Sequence, residues 1–464
     1  MKYGLDDSAL VDDVEGLNSK LLFRLEDKPP IWQASLTAFQ HFLAIFVSIM
    51  TAPLLVCIGM GLGPAETNFI ISSSLFVSGI GTIIQVVRFG PIGAKLLCIQ
   101  GTSFTFIGAL ILASASLQDR YDIHQTLGIL FGSAAAGGLT VMLASLFLTK
   151  LKTILTPTVT GVAVVLLGIS LVSAMFANLT REYQQTVAAN HSTTPFFIMS
   201  IGVVLIILLF TRSKSPWLRL SAISIGLGVG YLFALLTGQV NFAPLAELPL
   251  VFIPQVFNYP FGFDWGVFFI LLPVYFVTVA ESIGDITATS TLSRQPINTP
   301  SYWQRVRCGV MADGFNSVIA SIFSSFPSTT FSQNNGVIRL TGVASRYVGL
   351  YVALFLILAS MFPILGGLFQ VMPGALLFGA LGLMFALICV SGFQIIKSSS
   401  NNVRSWSIAT ATIFTALSLS HFAMGIDTLS PQVAIFLQTP IATGIVIAVL
   451  LEKFTPQSTN QIAY

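Results

Sequence analysis

The stretch VAESIGDITAT places Glu281 and Asp285 four residues apart, and VMADGFNSVIAS places Asp313 in the apolar run that follows. Four residues is one helical turn, so the first two side chains share a face. Carboxylates are costly inside apolar segments, and desolvation brings their ionisation towards neutral pH. Such groups can exchange protons or accept hydrogen bonds from a solute. For Asp285 and Asp313 the plainer alternative is that they tie helices together through hydroxyls and backbone amides. Of the eighteen acidic residues in the chain, these three lie well inside apolar stretches. His41, in FQHFLAIF, adds a fourth titratable group, suited equally to a structural hydrogen bond or to proton exchange. His124, His191 and His421 fall in loops or at the ends of apolar runs.

Other chemistries lack their residues. Cys57, Cys98, Cys308 and Cys389 show no metal-ligand spacing and read as small buried hydrophobes, so no metal site is expected. There is no nucleophile–base pair in a soluble-looking segment and no GxxxxGK[ST] phosphate loop, which argues against an enzyme and against ATP drive.

The elements that must hold these acids are membrane spans. The chain is 54% hydrophobic and 8% charged, against about 25% charged residues in soluble domains. Runs long enough to cross a hydrocarbon core, about 20 residues each, recur at 35–57, 66–87, 96–116, 125–148, 155–177, 195–211 and 217–237. They resume at 264–287, 306–325, 329–345, 347–368, 373–396, 404–421 and 438–452, making fourteen. With both termini cytoplasmic, only Arg120 and Arg181 of the 21 Lys and Arg residues fall on the outer side. The stretch RLEDKPP at 24–30 follows no apolar signal region, so the first thirty residues read as a cytoplasmic tail.

Spans three and ten are poor simple helices. KLLCIQGTSFTFIG (95–108) runs from a β-prone stretch through Gln100 and Gly101 into a helix, and STTFSQNNGVIRLTG (328–342) repeats the plan with Gln333, Asn334, Asn335 and Gly336. Broken backbone at membrane depth needs cover from protein or a water-lined cavity. Two breaks imply one shared cavity. If the halves begin at spans one and eight, each holds seven spans, and an odd number inverts the second half. LTPTVTGVAV (155–164) and VMPGALLFGA (371–380) fit the same register as spans five and twelve. Inverted repeats whose half-helices meet at the midplane recur in secondary transporters. Half-helix N-termini suit an electron-rich, partly anionic solute.

QNNGVIRLTG (333–342) resembles the signature of the nucleobase-ascorbate transporter family: Gln, Glu or Pro, then Asn, any residue, Gly, four of any kind, Thr, and Arg, Lys or Gly. QGTSF (100–104), ESIGDITATS (281–290), MADGFNSVIAS (311–321) and GVASRYVG (342–349) extend the likeness in order, most closely to the bacterial xanthine permease branch. The resemblance implies an all-α, fourteen-span fold in a 7+7 inverted repeat, with spans three and ten each a short strand plus half-helix. Between cytoplasmic tails at 1–30 and 456–464, a core domain (31–150 and 255–370) would slide, elevator-fashion, against a gate domain (151–240 and 371–455). It also implies proton symport without a cofactor, a homodimer through the gate domains, and residence in a bacterial cytoplasmic membrane. No nucleic-acid partner is implied.

Carried over by position, Glu281 and Gln333 would hydrogen-bond a purine base, Phe104 and Phe331 would line its ring faces, and Ser103 would touch another edge. Asn334 would contribute to the substrate site and hold the broken helix start, with Gly101 and Gly336 at the breaks. Asp313 would be the proton-linked acid or its partner, tuned by Asp285 and His41. Uracil carriers of the family generally have Glu where this chain has Gln333, and Gly342 after Thr341 resembles bacterial xanthine carriers. Ser103 also fits carriers that accept uric acid, so xanthine is expected first and urate second. A passive channel would need a continuous polar lining. An inorganic-anion carrier of similar fold remains the rival, although an ionised Glu281 would repel its substrate.

Overall fold

The computed structural model describes residues 21–148, 156–188, 193–215, 218–219, 221–246, 248–297, 299–397, 399, 402–423 and 431–455. Of the tails expected over 1–30 and 456–464, residues 1–20 and 456–464 lie outside the described residues, as do Lys150, Lys152 and His191. The first half contains α1 (Ile31–Met60), α2 (Pro64–Val87), β1 (Gln100–Thr102), a 3-10 turn (Phe104–Phe106), α3 (Ile107–Ala115), α4 (Ile123–Leu146), α5 (Pro157–Ala188), α6 (Thr194–Thr211) and α7 (Ala222–Leu236). The second contains α8 (Trp265–Leu292), α9 (Pro300–Ile322), β2 (Ser328–Thr330), α10 (Gln333–Thr341), α11 (Arg346–Ser360), α12 (Pro363–Gln370), α13 (Gly374–Lys397), α14 (Asn402–Ala423), α15 (Pro431–Gln438) and α16 (Pro440–Phe454).

Among the described residues, seven helices (α1, α2, α4, α5, α6, α8 and α13) are long and apolar enough to cross a membrane. Outward-facing Leu209, Leu232 and Phe414 leave apolar surface of the kind lipid covers. Proline opens α2, α9, α12 and α16, where its missing N–H costs no helix bond. One expected span is broken: 347–368 divides into α11 and α12, bent by 75° at Pro363. The residue before a proline is forced out of helical geometry, and Phe362 has ψ 87. The last span is likewise reset by Pro440, which starts α16 after a separate α15.

The two strands form one antiparallel pair, with Gln100 opposite Thr330, Gly101 opposite Thr329 and Thr102 opposite Ser328. The ladder continues where Ser103 N–H donates to Pro327 O (2.9 Å) and Phe331 N–H to Ile99 O (2.9 Å). Every strand residue is buried, so the pairing satisfies backbone groups that have no water to turn to.

Helices α2 and α11, α4 and α9, and α5 and α13 form the most extensive pairs. Glycine sets how near the backbones come. A Cβ on Gly79 of α2 would lie 2.9 Å from Ala353 O of α11, one on Gly314 of α9 2.6 Å from Gly138 O of α4, and one on Gly161 of α5 2.8 Å from Gly392 O of α13.

Candidate functional site

Ser103 follows β1 in extended conformation, and its hydroxyl accepts the Thr105 N–H at 3.3 Å, so the chain turns sharply into the 3-10 helix. That turn presents Thr105 to α8. Its hydroxyl lies 3.2 Å and 3.0 Å from the two oxygens of the Glu281 carboxylate. Glu281 is thus held at the broken start of the first half-helix while its side chain stays only partly buried. Asp285 follows one turn along α8 with similar exposure, and its backbone carbonyl accepts from Thr289 Oγ1 at 2.8 Å.

The second break mirrors the first. β2 passes through Phe331 and Ser332 into α10, which opens on Gln333. Asn335 anchors this helix to α8, accepting from Thr289 Oγ1 at 2.7 Å. Asn334 turns inward, 1% exposed, and its Nδ2 donates to Leu97 O just ahead of β1. That bond ties the start of α10 to the residues ahead of β1. His41 of α1 is fully buried against Asn334.

Phe104 and Phe331 stack on each other at 6.2 Å between centroids and 26° between planes. They contact one another rather than standing apart on two sides of a slot. Phe385 of α13 meets Phe104 edge-on at 5.5 Å. Gly101 is required beneath them, because a Cβ there would lie 2.3 Å from the Phe331 ring. Gly336 behaves differently: a Cβ on it would meet nothing within 4 Å, and the same holds for Gly108 and Gly284. These three follow Gln333, Thr105 and Glu281 by three residues, on the same helical faces. The faces that carry Gln333, Thr105 and Glu281 are therefore open one turn on, and Gly336 does not serve close packing against protein.

Asp313 has no such access. It is 4% exposed and accepts from Gln85 Nε2 (2.7 Å), Gln100 Nε2 (2.7 Å), Thr330 Oγ1 (3.1 Å) and Ser282 Oγ. Those donors come from α2, β1, β2 and α8. Asp313 thus fastens both strands to two helices, with Ser282 the direct neighbour of Glu281. Sequence reasoning did not single out Thr105, Gln85, Ser282 or Thr330. Gln85 carried a usable signal, a lone amide in the apolar run TIIQVV; Thr105 had none to separate it from other span hydroxyls.

Among the described residues no group of His, Cys, Asp and Glu could hold a metal ion. Two paired broken segments beside a partly open carboxylate on α8, among apolar helices, match the plan on which secondary transporters build a midplane site. The chain belongs to the nucleobase-ascorbate transporter family: the permease-family model Xan_ur_permease matches residues 32–425. It is 36% identical to the xanthine permease XanQ of Escherichia coli over 452 residues, covering 97% of each chain. It is 38% identical to XanP, a second xanthine permease of that organism, over 443 residues and 95% of each. A uric acid-xanthine permease of Emericella nidulans is 27% identical, over 95% of this chain and 84% of that one. In fold, the chain resembles the transmembrane domain of the cyanobacterial bicarbonate transporter BicA, with TM-score 0.58, 16% identity and coverage of 91% and 99%. It also resembles a murine Solute Carrier 26 family anion transporter in the inward-facing state, with TM-score 0.58, 13% identity and coverage of 93% and 70%.

Proposed function

We propose that this protein is a proton-coupled importer of a purine nucleobase, xanthine first and urate second, working by elevator movement of a core domain against a gate domain. The observation that carries the reading is the Glu281 carboxylate, held by Thr105 at the first break, with open space one turn on at Gly284. A xanthine ring presents adjacent N–H donors and C=O acceptors, which a carboxylate and the Gln333 amide can pair in complementary fashion. Ser103 shapes the remaining edge, and the Phe104–Phe331 pair supplies aromatic surface. Asp313 belongs to the proton-linked network as its acid or that acid's partner, and Asp285 and His41 tune it.

Neighbour relations support the inverted repeat. Adding seven to the span numbers turns the α2–α11 contact into α9–α4, α1–α2 into α8–α9 and α1–α11 into α8–α4, all of which occur. It also maps the β1–β2 and α5–α13 pairs onto themselves. The fourteen-span count, the cytoplasmic termini, the bacterial inner membrane and a homodimer through the gate belong to the same proposal. Likeness to bicarbonate and anion transporters favours the rival of an inorganic-anion carrier, but Glu281 would repel that cargo. The deciding experiment is radiolabelled xanthine uptake into cells lacking their own purine carriers. Uptake should be competed by unlabelled xanthine and urate and collapse with a protonophore in sodium-free medium. Sodium-driven accumulation would overturn the coupling, and bicarbonate transport without purine uptake would overturn the substrate.

A further inference from the structure

At one end of the molecule, three connections meet away from the site just described. Residues 21–28 lie along the α10–α11 link: Leu22 N–H donates to Gly342 O (2.8 Å), Ala344 N–H to Phe23 O (2.9 Å) and Arg346 N–H to Leu25 O (3.0 Å). The α2–β1 link and the start of α9 come alongside. Between them is a cavity of about 410 Å³ to which Arg24, Arg88, Lys95 and Arg305 contribute, with Glu26 and Asp27. Pockets for small ligands run from about 300 to 1,000 Å³, so this one admits a small molecule or a headgroup.

Its charges do not balance. Arg346, which does not line the cavity, takes the Glu26 carboxylate at 2.9 Å, whereas Lys95 reaches it only at 3.9 Å. The Asp27 carboxylate accepts the Arg24 backbone N–H at 2.7 Å. Among the described residues no carboxylate pairs with the Arg24, Arg88 or Arg305 side chain. Arg305 is half-buried; Nη2 donates to Gln295 Oε1 at 3.1 Å, while Nη1 is shut off from solvent without an acceptor. A buried cationic donor left unanswered is expensive. The backbone adds a separate sign. Arg88 and Lys95 sit at φ 65 and φ 57, in the left-handed region that L-residues rarely occupy. Strain of this kind persists where surrounding structure enforces it, and it clusters at ligand clamps.

We propose that this cavity binds a phosphate-type oxyanion, free or as the headgroup of an anionic lipid, with the Arg305 and Arg88 guanidiniums as its principal donors and Arg24 and Lys95 closing over it. Guanidinium forks match the spacing of phosphate oxygens. The bound anion joins the connection that runs from α2 into β1 to the one that leaves α8, which carries Glu281, and so stiffens the frame behind the site.

The test uses the full chain in nanodiscs of phosphatidylcholine and reads the unfolding midpoint. One arm titrates inorganic phosphate against chloride at matched ionic strength; the other places phosphatidic acid in the disc without free phosphate. A saturable rise is expected in at least one arm, and the responding arm identifies the source. Arg305→Gln and Arg88→Gln, made separately, should each weaken the apparent affinity about tenfold or more, the worth of a hydrogen bond to a charged group. If either fails to fold, Lys95→Gln and Arg24→Gln, on exposed side chains, carry the same comparison with a smaller loss. No saturable response in either arm, or wild-type affinity in every variant that folds, overturns the proposal. None of these readings depends on transport.

Discussion

Two carboxylates that look alike in sequence have different surroundings and therefore different expected phenotypes. Glu281 is partly open and receives a hydroxyl on both oxygens, so Glu281→Gln should abolish or nearly abolish purine uptake while membrane abundance stays at the wild-type level. Thr105→Val keeps the shape and removes the donor; hydrogen bonds to charged groups are worth roughly 1.5 to 3 kcal/mol, so KM should rise about tenfold or more. Unchanged KM would remove Thr105 from the site. Asp313 is enclosed by amide and hydroxyl donors. Asp313→Asn places an NH2 group where acceptors are needed, leaving buried donors unpaired at about 1 to 3 kcal/mol each. Its expected signature is a lowered unfolding midpoint, with the protonophore sensitivity of any remaining uptake retained. A normal midpoint with proton coupling lost would make Asp313 the proton carrier itself. Gln333→Glu should shift competition among xanthine, urate, hypoxanthine and uracil, and an identical profile would end its base-reading role.

Both breaks were legible at the level of elements because β-prone residues, a polar cluster and glycine coincide there, at QGT and at STTFSQNNG. The partnership of the strands was not legible: Gln100 and Thr330 pair across 230 residues, and local pattern carries no information on so distant a register. Pro363 was readable as a stop, yet the apolar run over 347–368 concealed the bend. At the site, charged residues inside spans stood out by their cost, whereas Thr105 and Ser282 could not be told from hydroxyls that merely bond their own helix, as Thr51 does with Val47 O at 2.7 Å. Glycines separate packing from substrate space. Gly101→Ala should displace Phe331 and depress uptake together with stability, since its Cβ would sit 2.3 Å from the ring. Gly336→Ala meets nothing and removes a flexible helix position, worth about 0.5 to 1 kcal/mol. Its unfolding midpoint should hold or rise while KM increases, and a wild-type KM would place substrate elsewhere.

On the scale of the whole molecule, the proposed elevator requires contacts between core and gate that are made in one state and broken in another. Two such contacts lie close to the aromatic pair: Phe104 meets Phe385 edge-on at 5.5 Å, and Ser48 Oγ of α1 lies 3.5 Å from Met384 Sδ of α13. Both cross between segments assigned to different domains, and neither is strong, since a thioether is a weak acceptor and an aromatic pair adds about 0.5 to 1.5 kcal/mol beyond its buried area. Weak, mainly apolar contacts of this sort allow one body to slide on another without stranding a buried charge. A covalent tie at the same place should stop the cycle. With the four native cysteines replaced, Ser48→Cys combined with Met384→Cys, bridged by a short thiol crosslinker, should lose uptake on crosslinking, and a reducible linker should restore it when cleaved. Each single variant under the same treatment controls for thiol modification alone. Full uptake by the crosslinked protein would mean that α1 and α13 keep their relation throughout transport, and the division into sliding and stationary domains would then have to be drawn elsewhere.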